Sequence, residues 1–87
     1  METAYVLVKS EMAHEMEVMS DILKIEAVKE AKGTFGVYDI FVKVQGNTSR
    51  DVEDAITKQI RKIKNVVSTT TLSVIPEQDK RSSIKYL

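Results

Sequence analysis

The sequence predicts an α+β fold, a four-stranded antiparallel sheet with two helices on one face, in the order β-α-β-β-α-β. Two observations predict it. Three short runs rich in valine, isoleucine, tyrosine and threonine, and a fourth, weaker one over Ala27 to Lys32, are interspersed with two segments of three- and four-residue apolar spacing. The two halves also echo each other. Ile22-Leu23-Lys24-Ile25 followed by Val28 matches Ile60-Arg61-Lys62-Ile63 followed by Val66, and Ser10 and Thr48 precede them at the same offset. Two β-α-β units with right-handed crossovers close into one sheet, the ferredoxin-like arrangement. That arrangement leaves one sheet face without cover from its own chain.

The elements follow in order. Ala4 to Lys9 is short and apolar, the mark of a buried strand. Ser10 is placed to cap a helix with Glu11 in its first turn. Met12, Met16, Met19 and Leu23, flanked by Ala13 and Ile22, then form an apolar stripe that is expected to be core. Ala27 to Lys32 carries Lys29, Glu30 and Lys32, so it reads as an outer strand. Val37 to Gln45 is the clearest strand, with Tyr38, Ile40, Val42 and Val44 on one face and Val37, Asp39, Phe41 and Lys43 on the other. Gly46-Asn47 breaks it.

Thr48 and Asp51, at capping-box spacing, open a second helix whose buried stripe is Val52, Ala55, Ile56, Gln59, Ile60 and Ile63. Val66 to Ile75 is a last strand rich in hydroxyls, and Pro76 ends it. Residues 1–76 are expected to form one domain, followed by a polar tail over 77–87 that is mobile or packs on a partner.

Composition limits what such a domain does. Lysine plus arginine and aspartate plus glutamate number 13 each, so net charge is zero, and the chain is 43% hydrophobic and 30% charged. Neutrality argues against a broad phosphate-binding face. The chain has no cysteine, which excludes disulfides, thiolate zinc sites and cysteine nucleophiles. No apolar run fits a signal peptide or a membrane span, and the expected location is the cytoplasm.

Catalysis has thin support. The single histidine, His14, reads as a surface residue, and no nucleophile or phosphate-loop motif is present. No enzyme activity, cofactor or metal is expected. An RNA-recognition module shares this fold and stacks bases on aromatics of its open face. Here Lys32-Gly33 fits its motif, but Thr34 stands at its first aromatic position and Gly36 at its second. Skipping Thr34 restores Phe35 and Gly36, yet Val37 then occupies the place of the second ring.

From Ala4 to Ile75 the chain resembles the effector-binding (RAM) domain of the Lrp/AsnC, or feast/famine, transcription regulators. The element order carries the resemblance. So do Ile25-x-x-Val28 and Ile63-x-x-Val66 leading into strands, and Gly36-x-Tyr38-Asp39 before an aliphatic strand ending Lys43-Val44. Val66 with Thr69, Thr71 and Leu72 matches the family's last strand. The family's Pro-Gly start to the first helix is replaced by Glu11-Met12, and the bends at Glu26-Ala27 and Lys64-Asn65 lack the usual proline and glycine. The match begins close to Met1, so the resemblance is to a stand-alone RAM protein without the family's helix-turn-helix.

The resemblance implies dimers formed through open sheet faces, closing into rings that are commonly of four dimers, an octamer. It implies a small effector, typically an amino acid, bound between dimers near the turn ahead of the third strand. It implies full-length Lrp-like regulators as further partners, with no direct binding to nucleic acid or membrane. The candidate ligand-binding residues are Thr34, Phe35, Gly36, Tyr38, Asp39, Thr69 and Thr71. Gly36 supplies positive φ and close backbone approach. Asp39 accepts an ammonium group. Thr69 and Thr71 offer hydroxyls to a carboxylate or a neighbouring subunit. Plain alternatives stand beside these roles. Gly36 serves only the turn, Asp39 caps local backbone or pairs with a lysine, Tyr38 packs in the core with Ile40, and the threonines are simply good strand formers.

Overall fold

The computed structural model describes residues 1–73. Four strands, β1 (Glu2–Ser10), β2 (Val28–Gly33), β3 (Ile40–Gly46) and β4 (Val66–Ser73), form one sheet in the order β2-β3-β1-β4. Every neighbouring pair is antiparallel. Helix α1 (Glu15–Leu23) joins β1 to β2, and helix α2 (Ser49–Asp54), continued by a π-helical segment (Ala55–Ile60), joins β3 to β4. This is the expected ferredoxin-like β-α-β-β-α-β fold. The expected end of the last strand at Ile75, the Pro76 stop and the tail over 77–87 lie outside the described residues.

Alternation along the two central strands builds the core. Ala4, Val6 and Val8 of β1 and Ile40, Val42 and Val44 of β3 point to the helices and are buried. Val18 and Ile22 of α1 and, beside them on the same face of the sheet, Val52, Ala55, Ile56 and Ile60 cover them. The intervening residues face the open side, where Tyr5 and Phe41 stack with ring centroids 5.3 Å apart.

Thr48 caps α2 as its sequence position requires, accepting a hydrogen bond from the Asp51 amide at 3.1 Å. Gly46 is needed just ahead of it. A Cβ there would stand 2.9 Å from the Asp51 Cβ and 3.3 Å from the Val52 amide nitrogen, so β3 and α2 meet too closely for any side chain. Beyond Asp54 the ladder widens, and the Arg61 amide donates to the Ile56 carbonyl five residues back at 3.0 Å. The wider turn keeps Ile56 and Ile60 buried and puts Gln59 in solvent rather than in the expected stripe.

Helix α1 differs more from expectation. Ser10 does not cap it, because Ser10 is still in β1 and its amide and hydroxyl both donate to Asp39. The helix begins at Glu15, after a turn in which Ala13 takes φ 71°. The later start rotates the stripe. Val18 and Ile22 face the core, and Met16, about 200° round the helix from Val18, turns outward. Met12 and Met16 are each 86% exposed and Leu23 is 56% exposed, so the methionine stripe is mainly surface, with Met19 half-buried at its margin.

Substitution separates the two faces of α1. Ile22→Ala should cost about 3 kcal/mol, as deletion of a fully buried side chain does, whereas Met16→Ala should stay within about 0.5 kcal/mol. Ala13→Gly should stabilise the fold by about 0.5 to 1 kcal/mol, since a Cβ in the left-handed region costs more than glycine's extra chain entropy. Urea unfolding of the three variants measures all of these.

Candidate functional site

The connection between β2 and β3 is a closed loop over residues 34–39. The Thr34 amide donates to the Asp39 carbonyl at 2.9 Å, and the Thr34 hydroxyl donates to the Tyr38 carbonyl at 2.7 Å. The Asp39 amide donates to the Val8 carbonyl at 2.9 Å, which sews the loop to the end of β1. Lys9 Nζ donates to the Val37 carbonyl at 3.3 Å. Gly36 sits at the tip with φ 120°, a conformation that needs glycine, and a Cβ there would meet no atom within 4 Å. Phe35 and Val37 project from the tip, fully exposed and 73% exposed.

Asp39 stands at the base of this loop. One oxygen, Oδ2, accepts from the Ser10 amide at 2.8 Å and from the Ser10 hydroxyl at 3.2 Å. The other, Oδ1, makes no hydrogen bond among the described residues. Ser10 is the one buried polar residue described, so its amide depends on this carboxylate for a partner.

Beside the loop, on the helix side, lies a cavity of about 270 Å³ lined by Glu15, Met16, Met19, Gly33, Asp39 and Ile40. Its walls are almost wholly apolar.

The sequence-derived set divides here. Thr34, Phe35, Gly36, Tyr38 and Asp39 belong to one hydrogen-bonded loop. Thr69 and Thr71 pair with Val8 and Val6, so they share the helix-facing side of β4. The Thr69 hydroxyl accepts from Arg61 Nε at 2.8 Å, and Thr71 lines a polar cleft of about 500 Å³ together with Glu2, Glu53, Thr57, Arg61 and Ser73. Tyr38 does not follow Ile40 into the core. It precedes the strand, is half-buried, and its hydroxyl hydrogen-bonds the Thr70 hydroxyl at 2.8 Å. Thr70 lies opposite Leu7 on the open face, so the ring crosses β1 on that side.

Residues outside the sequence-derived set are Met16 and Met19, read as part of the first helix's apolar stripe, together with Glu15 and Arg61. Among the described residues no group of three or more histidine, cysteine or acidic side chains is placed to hold a metal. No helix there is long and apolar enough to cross a membrane.

The model of the Lrp/AsnC ligand binding domain matches residues 3–84. This chain belongs to the Lrp/AsnC family. Solved structures agree. FFRP-DM1 is 39% identical with a TM-score of 0.82, over 86% of this chain and 100% of its own. A hypothetical protein from Pyrococcus horikoshii, PHS023, is 39% identical with a TM-score of 0.80, over 86% of this chain and 90% of its own. TTHA0845 from Thermus thermophilus, 25% identical, has a TM-score of 0.82 over 86% of this chain and 94% of its own. The E. coli AsnC structure shares the fold at 24% identity, and this chain covers 50% of it. No curated protein matches the chain.

The Asp39–Ser10 contact makes a stability prediction. Asp39→Ala strands the buried Ser10 amide and should cost about 2 kcal/mol. Asp39→Asn keeps an acceptor oxygen and should cost less than half as much. Chemical denaturation of the two variants measures the difference, and equal losses would mean that charge rather than the acceptor holds Ser10.

Proposed function

We propose that this protein is an effector-binding module of the Lrp/AsnC type, which takes an amino acid or similar small ammonium compound at the 34–39 loop and works as an oligomer. The observation that carries the reading is the Asp39 carboxylate. One oxygen is tethered to Ser10, which fixes the group in place, and the other is left to accept a ligand's ammonium in a charge-assisted bond. A carboxylate held in this way binds without first losing side-chain freedom. Gly36 leaves space at the loop tip, and Thr34 and Tyr38 hold the loop in shape.

Family membership supports the choice of ligand. One fold neighbour, the regulator NMB0573 from Neisseria meningitidis, was solved as an L-Met complex. The module works by binding rather than by catalysis, in the cytoplasm beside full-length regulators of the same family.

The open face supports assembly. Tyr5, Leu7 and Phe41 are only half-buried there and Leu72 is 48% exposed, an apolar surface that a second copy would cover. Thr69 and Thr71 enter the site from a neighbouring subunit in this reading, since within one subunit they lie away from the loop on the helix-facing side of β4.

Calorimetry against the twenty amino acids tests the ligand. A compound of about ten heavy atoms at about 0.5 kcal/mol per atom binds with a dissociation constant of hundreds of micromolar. Asp39→Asn should weaken it about tenfold or more, as loss of a charged hydrogen bond does. No heat from any amino acid at millimolar concentration contradicts the reading. Light scattering at micromolar protein should report a dimer or a larger even-numbered assembly, and a monomer would contradict the oligomeric part.

A further inference from the structure

We infer that residues 80–87 turn back through Pro76–Asp79 and lie as a further strand along the free edge of β4, where they cover the cleft between β4 and α2. The inference is independent of the ligand reading. It joins three observations: an edge without protection, a cleft beside it, and a following segment whose length and pattern fit both.

The two edges of the sheet are built differently. At one edge β2 carries Lys29, Glu30 and Lys32 among its six residues, and its pairing shifts register between Val28 and Glu30. Charges and irregular pairing keep an edge from joining another strand. At the other edge β4 reads VVSTTTLS, eight residues with no charge and no proline. After a register shift at its start it pairs regularly with β1 from Ser68 to Ser73. Its outer side meets no other strand among the described residues. An open edge of good strand formers, with nothing on it to repel a neighbour, calls for a cover.

The helix-facing side of β4 is open as well. Where β1 has Val6 and Val8, β4 has Thr71 and Thr69, and Thr71 and Ser73 are exposed. Beside them lies the cleft of about 500 Å³, with the buried Ala4, Val52 and Ile56 as its floor and Glu2 and Arg61 among its polar walls. A floor of this kind gains from an apolar side chain laid over it.

Residues 74–87 follow Ser73 directly. Pro76-Glu77-Gln78-Asp79 suits a four-residue hairpin connection, with proline at the second position of a type I turn. A hairpin closed there sets Lys80 opposite Ile75, Ile84 opposite Thr71 and Tyr86 opposite Thr69. Alternation puts these three on the helix-facing side and Lys85 on the other. Ile84 then comes over the apolar floor, and Lys80 comes level with Glu2. The Tyr86 ring comes to the Arg61 guanidinium, which Thr69 holds at 2.8 Å. With this strand in place Thr69 and Thr71 are covered, so they meet a neighbouring subunit only after its release.

NMR of the full chain tests the placement. Labelled protein should show contacts from the Ile84 methyls to the Thr71 methyl and from the Tyr86 ring to the Thr69 methyl, unchanged over a tenfold range of protein concentration. Hydrogen exchange is the second readout. Ile84→Glu, beside Glu53 and over the apolar floor, should speed exchange of the outward-facing amides of β4 about tenfold or more, and leave those paired with β1 unchanged. Lys85→Glu, on the opposite side, should leave both sets unchanged. Neither residue belongs to the core, so both variants keep the fold.

An absence of contacts between residues 80–87 and β4 overturns the inference. Contacts that appear only between labelled and unlabelled copies in a mixed sample overturn it too, because a second chain is then the occupant of the edge. Equal effects of Ile84→Glu and Lys85→Glu overturn the placement of Ile84 over the cleft.

Discussion

The hydrogen bonds from Ser10 to Asp39 are the constraint on which the functional end of the molecule depends. They join the last residue of β1 to the residue just ahead of β3, 29 positions away in sequence. Removing that tie leaves a buried amide without a partner and releases the Asp39 side chain, while backbone bonds from Asp39 to Val8 and from Thr34 to Asp39 still hold the base of the 34–39 loop. Keeping it determines three things together: where β1 ends, where α1 can begin, and where the Asp39 carboxylate points. The left-handed Ala13 turn follows from this. With Ser10 held in the sheet, the chain has only residues 11–14 in which to reverse into the helix, and Asn65 meets it there through its carbonyl and the Glu11 amide.

From that point the methionine face is a matter of phase. A helix starting at Glu15 shows Val18 and Ile22 to the sheet and turns Met16 outward, next to the loop that Asp39 anchors. A structural hydrogen bond and a candidate binding pocket thus share one carboxylate, with Oδ2 serving the fold and Oδ1 open to a ligand. In the proposed reading the arrangement couples stability to ligand binding, because anything that loosens Asp39 disturbs both. It also explains why the loop is closed by its own backbone bonds instead of by packing, since the exposed Phe35 and Val37 contribute nothing to the core.

Much of the fold was legible in the sequence, because alternation and helical spacing are properties of residues close together in the chain. Val42 and Val44 could be placed by period alone, and Thr48 by its spacing to Asp51. The phase of α1 was not legible. Ser10 looks like a helix cap, and only a partner 29 residues away makes it a strand residue. Tyr38 failed for a similar reason: counting in twos from Ile40 assumes that the strand has already begun. The π segment had no signature in residue type, and Arg61, which follows it, bonds Thr69 across to β4. Of the candidate site, the Gly36-x-Tyr38-Asp39 string drew attention to the loop, whose residues the fold holds together by hydrogen bonds. Met16, Met19 and Glu15 were missed, because a methionine stripe on a helix ordinarily belongs to a core.

The central claim is that Asp39 serves fold and ligand at once, and mapping the bound ligand by amide chemical shifts tests it most directly. Titration of ¹⁵N-labelled protein with leucine should move the amides of Ser10, Thr34, Gly36 and Asp39, together with Met16 and Met19 on α1. The amides of the first turn of α2, among them Asp51 and Val52, should stay still. Shifts confined to the cleft of Arg61, Thr71 and Ser73, with the loop unmoved, would contradict the account.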